Sequence, residues 1–299
     1  MRNAVLVISN INVDLIYEVE RMPMEHEKFM AARCVVAGGG SGANTAHWLS
    51  RLGIQVYISG FVGKDIFGDF ALGELTAAGV DVSGCIRLED RTTNIVGIFS
   101  NGHNKSMVLA GLKYQPDAID GLVKTTRDLD WSRIRHIHFA TRDEILIERV
   151  MAATEDNAVS TSLELDGMYD AGLVRKADIV FSNMDELARA TDTADPVSFL
   201  ASAHSGDKTA FFVTEGASGA RIISHGRVSH VPTVALEPVD RTGGGDAFDA
   251  GVLAAFMRGE SLGTGAAKGL ALASFVIQNW GARPSADAAL IQRLIAACP

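Results

Sequence analysis

What this 299-residue chain has little of narrows its class before any motif is read. Its three cysteines, Cys34, Cys85 and Cys298, are widely spaced and odd in number, with no CxxC pair. That excludes a disulfide framework and a cysteine-built metal site, and it suits a reducing cytoplasm. No stretch reaches the ~18 to 20 apolar residues of a membrane span. The short apolar run from Ala4 to Ile8 breaks at Asn10 without a cleavage region, so it reads as a first buried strand rather than a secretory leader. Positive charge is also scarce. The formal net charge of -9 argues against broad capture of DNA or RNA, which needs a basic surface, but leaves room for a single nucleotide held by local amides. Linkers, low-complexity segments, internal repeats and a Walker A lysine motif are all missing. What remains, 47% apolar and 21% charged residues, is enough for one large α/β unit with a sizeable core.

Within that unit, short β-rich runs alternate with helical patterns. Ala4 to Ser9, Gln55 to Val62, Ile134 to Ala140, Ala177 to Ser182 and Thr209 to Thr214 read as strands buried on both faces. Helical periodicity marks Ala43 to Leu52, Asp69 to Ala78, Ile145 to Glu155, Asp185 to Thr191 and Ala247 to Met257. The alternation predicts a mostly parallel sheet covered by helices. Two segments, 13–36 and 92–112, break it with polar–apolar alternation. The second reads as a β-hairpin whose loop is Asn101-Gly102-His103-Asn104. Hairpin strands cannot all join a parallel sheet, so both segments are expected to form a small β lid on a single domain.

The chemistry concentrates where glycine runs open helices. In Asp240-Arg241-Thr242-Gly243-Gly244-Gly245-Asp246, the glycines allow an anion close to the backbone, and the new helix offers free N–H groups and its positive end. A carboxylate in that first turn can take a proton from an alcohol. Taken alone, the same residues also fit a flexible turn with Asp246 capping the helix. A second glycine run, Gly38-Gly39-Gly40-Ser41-Gly42-Ala43-Asn44, satisfies GxGxxA, yet it lies some thirty residues beyond the first strand. A dinucleotide fingerprint is therefore rejected in favour of a polyhydroxylated ligand. Asn183-Met184-Asp185-Glu186 follows a predicted strand; it can orient hydrated Mg²⁺ or simply cap a helix. Asn12 and Asp14 leave the first strand at the same end of the sheet. His136 and His138 lack partners for a metal site and read as structural.

In this order the motifs resemble the PfkB (ribokinase-like) carbohydrate kinase family nearly end to end. Asn12-x-Asp14 and the segment Gly39-Gly40-x-Gly42-Ala43-Asn44 are similar to its substrate-binding signatures, and Gly60 to Gly68 to the loop after its second strand. Asn183-x-x-Glu186 resembles its magnesium motif, and Thr214-Glu215-Gly216, with Gly219, its nucleotide segment. The run Gly243-Gly244-Gly245-Asp246 resembles its anion hole and base. The resemblance implies a ribokinase-like α/β fold with a β-sheet lid, and transfer of phosphoryl from MgATP to a sugar hydroxymethyl. Asp246 would then be the base, while Asn12, Asp14, Gly39, Gly40 and Asn44 hold the sugar. It also implies a homodimer through the lid, no nucleic-acid or membrane partner, and a monovalent cation (K⁺) near Asp240, Thr242, Asn279, Gly281 and Ser285. Arg241 departs from the family pattern; with Arg142 it keeps an acidic sugar open as acceptor, beside a nucleoside. Asp143 or Glu144 is expected to supply a substrate carboxylate. A catalytically silent sensor is the reading from another class.

Overall fold

The computed structural model describes residues 2–101, 105–110 and 114–296. The tip of the predicted hairpin loop, the end of the second lid segment and Cys298 lie outside them. Along the chain, β1 (Ala4–Ser9) leads to β2 (Asn12–Glu18) and β3 (Arg33–Gly39), which runs straight into α1 (Ser41–Arg51). Next come β4 (Gln55–Ser59), β5 (Phe61–Gly63), α2 (Ile66–Ala77) and β6 (Ile86–Leu88), then the pair β7 (Asn94–Ser100) and β8 (Lys105–Leu109). After α3 (Pro116–Arg127), strands and helices alternate: β9 (Ile134–Ala140), α4 (Glu144–Thr154), β10 (Ser160–Glu164), α5 (Ala171–Lys176), β11 (Ile179–Asn183), α6 (Met184–Thr191) and α7 (Pro196–Ala203). The chain continues through β12 (Ala210–Thr214), β13 (Ala220–Ser224) and β14 (Arg227–Val231) to the helices α8 (Gly244–Met257), α9 (Leu262–Ile277) and α10 (Ala288–Ala296).

Among the described residues, eight strands form one sheet in the order β14-β13-β12-β11-β10-β9-β1-β4, parallel from β4 to β12 and antiparallel at β13 and β14. Strands β1, β4, β11 and β12 are nearly continuous apolar runs because both faces are covered there. In β1, Val5 and Val7 enter one core with α1, α8 and α9, while Ala4, Leu6 and Ile8 enter the other with α3 and α4. Each fully buried Leu or Ile side chain contributes about 1.5–3 kcal/mol. The predicted lid segments form a separate four-stranded sheet, β3-β2-β7-β8, as expected for strands that cannot join the parallel one. No described helix is long and apolar enough to cross a membrane.

Helix α8 is buried along nearly its whole length because α9 packs unusually close. A Cβ on Gly251 would lie 2.5 Å from Gly269 Cα, so the crossing tolerates only glycine. Three sequence expectations change. The run Gln55 to Val62 is two strands, broken at Gly60, whose carbonyl accepts from Ile86 N–H at 2.9 Å. Strand β11 begins at Ile179 rather than Ala177, which ends α5. Strand β10 was not expected: Ser160 and Ser162 interrupt its apolar pattern, but they face His136 and His138.

Candidate active site

The parallel strands end on one side of the molecule, where open α/β sheets bind ligands. Asn10 and Asn12 follow β1, Thr141 and Arg142 follow β9, Glu164 ends β10, Asn183 ends β11 and Thr214 ends β12. Between these ends and the four-stranded sheet lies a cavity of about 520 Å³. Its floor is polar, with Asn12, Asp14, Gly40 and Asn44, and its roof is Val96, Ile98, Lys105, Met107 and Leu109. A second cavity of about 770 Å³ lies beyond the start of α8, walled by Val234, Leu236, Leu270 and Ile277, with Gly216 and Gly219 at its edge. The two share Asn183, Thr214 and Gly245.

The glycine run forms the partition. Gly243 has φ +78° and precedes the first turn of α8, a backbone that a side chain would strain; an added Cβ would also sit 2.4 Å from Ala282 Cβ. Gly243 and Gly245 line the first cavity, and Gly244 and Gly245 the second. Asp246 is not the helix cap. Its carboxylate accepts instead from Ser41 Oγ (2.6 Å, Oδ1) and Asn44 Nδ2 (2.7 Å, Oδ2), both on α1. Arg283 donates through Nε to Asn44 Oδ1 at 2.8 Å and through Nη2 to the Gly39 carbonyl at 3.3 Å. With its oxygen engaged, the Asn44 amide must turn its N–H groups toward Asp246. Arg283 is a buried cation among Asp14, Asp246 and Glu74.

Burial governs the charges. It pushes Asp14 up to about 6; Arg283 and Lys105 oppose this, and Asp246 and Asp240 add to it. Burial also raises Asp246, against the donors Ser41 and Asn44 and the cations Lys105 and Arg283. A carboxylate held by two donors, beside a helix start and a polar cavity, is placed to accept a proton from a bound hydroxyl.

Other predicted residues sort differently. Asn183 caps α6, its Oδ1 accepting from Glu186 N–H at 2.9 Å, so the capping reading is correct for that oxygen. Glu186 nonetheless lines the first cavity, and its carboxylate has no protein partner among the described residues. Hard oxygen donors of this kind suit hydrated Mg²⁺. Asp240 is fully buried. Its Oδ1 accepts from Thr242 N–H (3.0 Å) and Oγ1–H (2.7 Å), and its Oδ2 from Gly281 N–H (3.0 Å). It thus ties the glycine loop to the 279–283 segment. Asn279 donates to Phe275 O at 2.8 Å, while Ser285 is exposed and lines a separate groove with His47 and Arg51. The Gly60 to Gly68 segment is structural: Asp65 caps α2 and accepts from Thr93 N–H at 2.7 Å.

Two expectations are overturned. Asp143 caps α4, accepting from Leu146 N–H at 3.0 Å, and Glu144 is exposed, so neither lines the cavity. Beside Asp14, Glu186, Asp246 and Asp249, the carboxyls lining it are Glu164, which ends the unexpected strand β10, and Asp166 just past it. Arg241 lines the second cavity, not the first; Arg142 does line the first, paired there with Asp166 through Nε (2.6 Å) and Nη2 (2.8 Å). The signal that marks Glu164 is positional: it ends a strand beside β11, as Asn183 does beside β12.

A family profile described as pfkB family carbohydrate kinase matches residues 2–289. The ribokinase of Arabidopsis thaliana is 29% identical over 302 residues, covering 94% of this chain and 77% of that protein. A nucleoside kinase of Methanothermobacter thermautotrophicus is 26% identical over 287 residues, covering 92% and 90%. The solved structure of Arabidopsis thaliana ribokinase complexed with ribose and ATP superposes with a TM-score of 0.79 at 24% identity, covering 99% of each chain.

Proposed function

The chain belongs to the pfkB family of carbohydrate kinases, phosphotransferases with an alcohol group as acceptor, and we propose that it transfers the γ-phosphoryl group of ATP to the hydroxymethyl group of a sugar. The observation that carries this reading is the meeting of two cavities at the start of α8, with Asp246 facing the smaller one. The sugar takes the polar floor of Asn12, Asp14 and Asn44, closed in by Gly39 and Gly40 and covered by the β lid. The adenine takes the apolar wall of the larger cavity, beside Thr214, Gly216 and Gly219. Arg241, on that side, faces the nucleotide rather than the acceptor.

In the reaction Asp246 accepts the proton of the hydroxymethyl group as its oxygen attacks the γ-phosphorus. The bond to the ADP oxygen breaks in line, and the amides of Gly243, Gly244 and Gly245 stabilise charge on the transferring group. Asn183 and Glu186 would hold Mg²⁺ through water, where the ion would supply neutralising charge for the phosphates. The proton ends on Asp246 and the phosphoryl on the sugar.

The same reading takes the chain as one domain with a lid, working in a reducing cytoplasm, with no nucleic-acid or membrane partner. Lid-to-lid dimerisation is supported by β8, an edge strand with every residue exposed, Met107, Val108 and Leu109 among them. A K⁺ requirement beside Asp240 rests on that buried carboxylate at the glycine loop, with Ser285 outside the set. A second acceptor, a nucleoside, is favoured by the apolar roof of Val96, Ile98, Met107 and Leu109, which fits a base as well as a sugar ring. The test is Asp246→Asn. It should lower kcat by ~10² or more with ATP binding intact; unchanged turnover rejects the assignment of the base.

A further inference from the structure

The Ser41 hydroxyl stands between two carboxyl groups. Its Oγ is hydrogen-bonded to Asp246 Oδ1 at 2.6 Å and also to Glu164 Oε2. A hydroxyl carries one hydrogen, and ionised carboxylates only accept. Both bonds therefore exist together only if one of the carboxyls brings a proton. The surroundings decide which. Asp246 has a second donor, Asn44 Nδ2–H, and two nearby cations, Lys105 and Arg283. Among the described residues, Glu164 has no hydrogen-bond partner but Ser41. It faces Asp246 and Asp249 on α8, Glu186 on α6 and Asp166 just past its own strand, and the nearby cation Arg142 is bound to Asp166. A ring nitrogen of buried His138, on β9, lies within 4.8 Å of carboxylate oxygens of Glu164 and Asp249. That ring is neutral, because burial holds it down near 3.

We infer that Glu164 is a positioning residue for the base: protonated, it donates to Ser41, Ser41 in turn donates to Asp246, and loss of the Glu164 proton switches the base out of register. This rests on the reading of Asp246 as the base. The direction of the Glu164 shift agrees with the geometry: burial, with the Asp246 charge next, pushes it up to about 8. Above that pH one hydroxyl hydrogen serves two carboxylates, and a second negative charge stands beside Asp246. The device thus gives the reaction an alkaline limit set by a group other than the base itself.

The experiment is kcat against pH from 6 to about 10 for the wild type, Ser41→Ala, Glu164→Ala, Glu164→Gln and Asp249→Asn, with nucleotide KM measured in parallel. Wild-type kcat should fall above about 8 with unit slope. Glu164→Ala and Ser41→Ala should each lower kcat at pH 7 by roughly ten- to a hundredfold, the worth of one bond to a charged group, at unchanged nucleotide KM. Glutamine has an N–H to give Ser41 but does not titrate, so Glu164→Gln should recover most of that loss and lack the alkaline limb. Asp249→Asn, which changes a second buried carboxyl beside Glu164, should keep the limb. A limb that persists in Glu164→Gln, or vanishes in Asp249→Asn instead, overturns the inference. So does a Glu164→Gln enzyme as slow as Glu164→Ala. Active Asp246→Asn rejects the base itself; inactive Asp246→Asn with an unaltered Glu164→Gln profile rejects the relay alone.

Discussion

Arg283 is the residue on which the arrangement of the base depends most, and its replacement gives a quantitative prediction. Its side chain is only 7% exposed, and its Nε holds Asn44 Oδ1 at 2.8 Å, which turns Asn44 Nδ2 onto Asp246 at 2.7 Å. In Arg283→Met the Asn44 amide is free to rotate, and Asp246 loses a charge-assisted bond worth about 1.5–3 kcal/mol. If that bond matters when the proton moves, kcat falls about ten- to a hundredfold. The charge effect has a definite sign. Asp14 already stands at about 6, and Arg283 is the largest influence holding it down. Without the cation Asp14 and Asp246 both rise, they protonate at higher pH, and the acid limb of kcat moves toward neutrality. In Arg283→Lys the cation survives but the fork that holds Asn44 does not; kcat should drop while the acid limb stays near its wild-type position. The assay is ADP release from pH 5 to 8, with thermal unfolding to show that each variant is folded. A folded Arg283→Met enzyme with wild-type kcat and an unmoved acid limb would refute the reasoning.

Three further outcomes follow from the same arrangement of residues. Arg241→Ala should raise the KM for ATP and leave the acceptor KM within about twofold, because Arg241 lines only the larger cavity; a selective effect on the acceptor contradicts that placement. Gly251→Ala should cost about 1–3 kcal/mol in urea unfolding, since its Cβ would fall 2.5 Å from Gly269 Cα and force α8 off α9; an unchanged midpoint speaks against the close crossing. His136 and His138 are held by burial at about 3, below the ~6.5 of an unfolded histidine, so their contribution is complete above 6.5 and lost as pH falls toward 3. Asp14 and Glu164, raised by burial, act with the opposite sign, losing stability as pH rises. The readout is therefore the difference between wild type and the His136→Gln/His138→Gln double variant, whose midpoint should decline less between pH 6.5 and 4.5; parallel curves contradict buried neutral rings.

The legible part of the fold is that whose pattern follows from burial on both faces. β1 reads as a strand because nearly every residue is apolar and enclosed, and β9 because its apolar residues run through an enclosed segment in which only Arg135 is exposed. The lid segments stood out because their alternation cannot serve a sheet covered on both faces. β10 escaped because its serines meet two buried histidines rather than a hydrophobic neighbour, and with it went Glu164, Asp166 and the relay. Asp143 misled for a related reason: an acidic residue after a strand can cap the next helix as readily as meet a ligand. Arg283 joins Asn44 across 239 positions of sequence, a separation that spacing cannot reveal. The glycine runs were legible because a left-handed φ or a close approach has few solutions other than glycine. Asn183-x-x-Glu186 was legible only in part, since one side chain both caps α6 and borders the cavity.

The central claim is that the two cavities hold donor and acceptor of one phosphoryl transfer, with Asp246 as the base between them. The most direct measurement is phosphorus NMR of ATP incubated with ribose, fructose, 2-keto-3-deoxygluconate and nucleosides, using wild type and Asp246→Asn side by side. The account predicts a phosphomonoester on the hydroxymethyl carbon of one acceptor with wild type, and its loss in a variant that binds ATP with the same affinity. The same phosphomonoester formed at the wild-type rate by Asp246→Asn would contradict it, as would ATP binding with no phosphorylated acceptor in the whole panel.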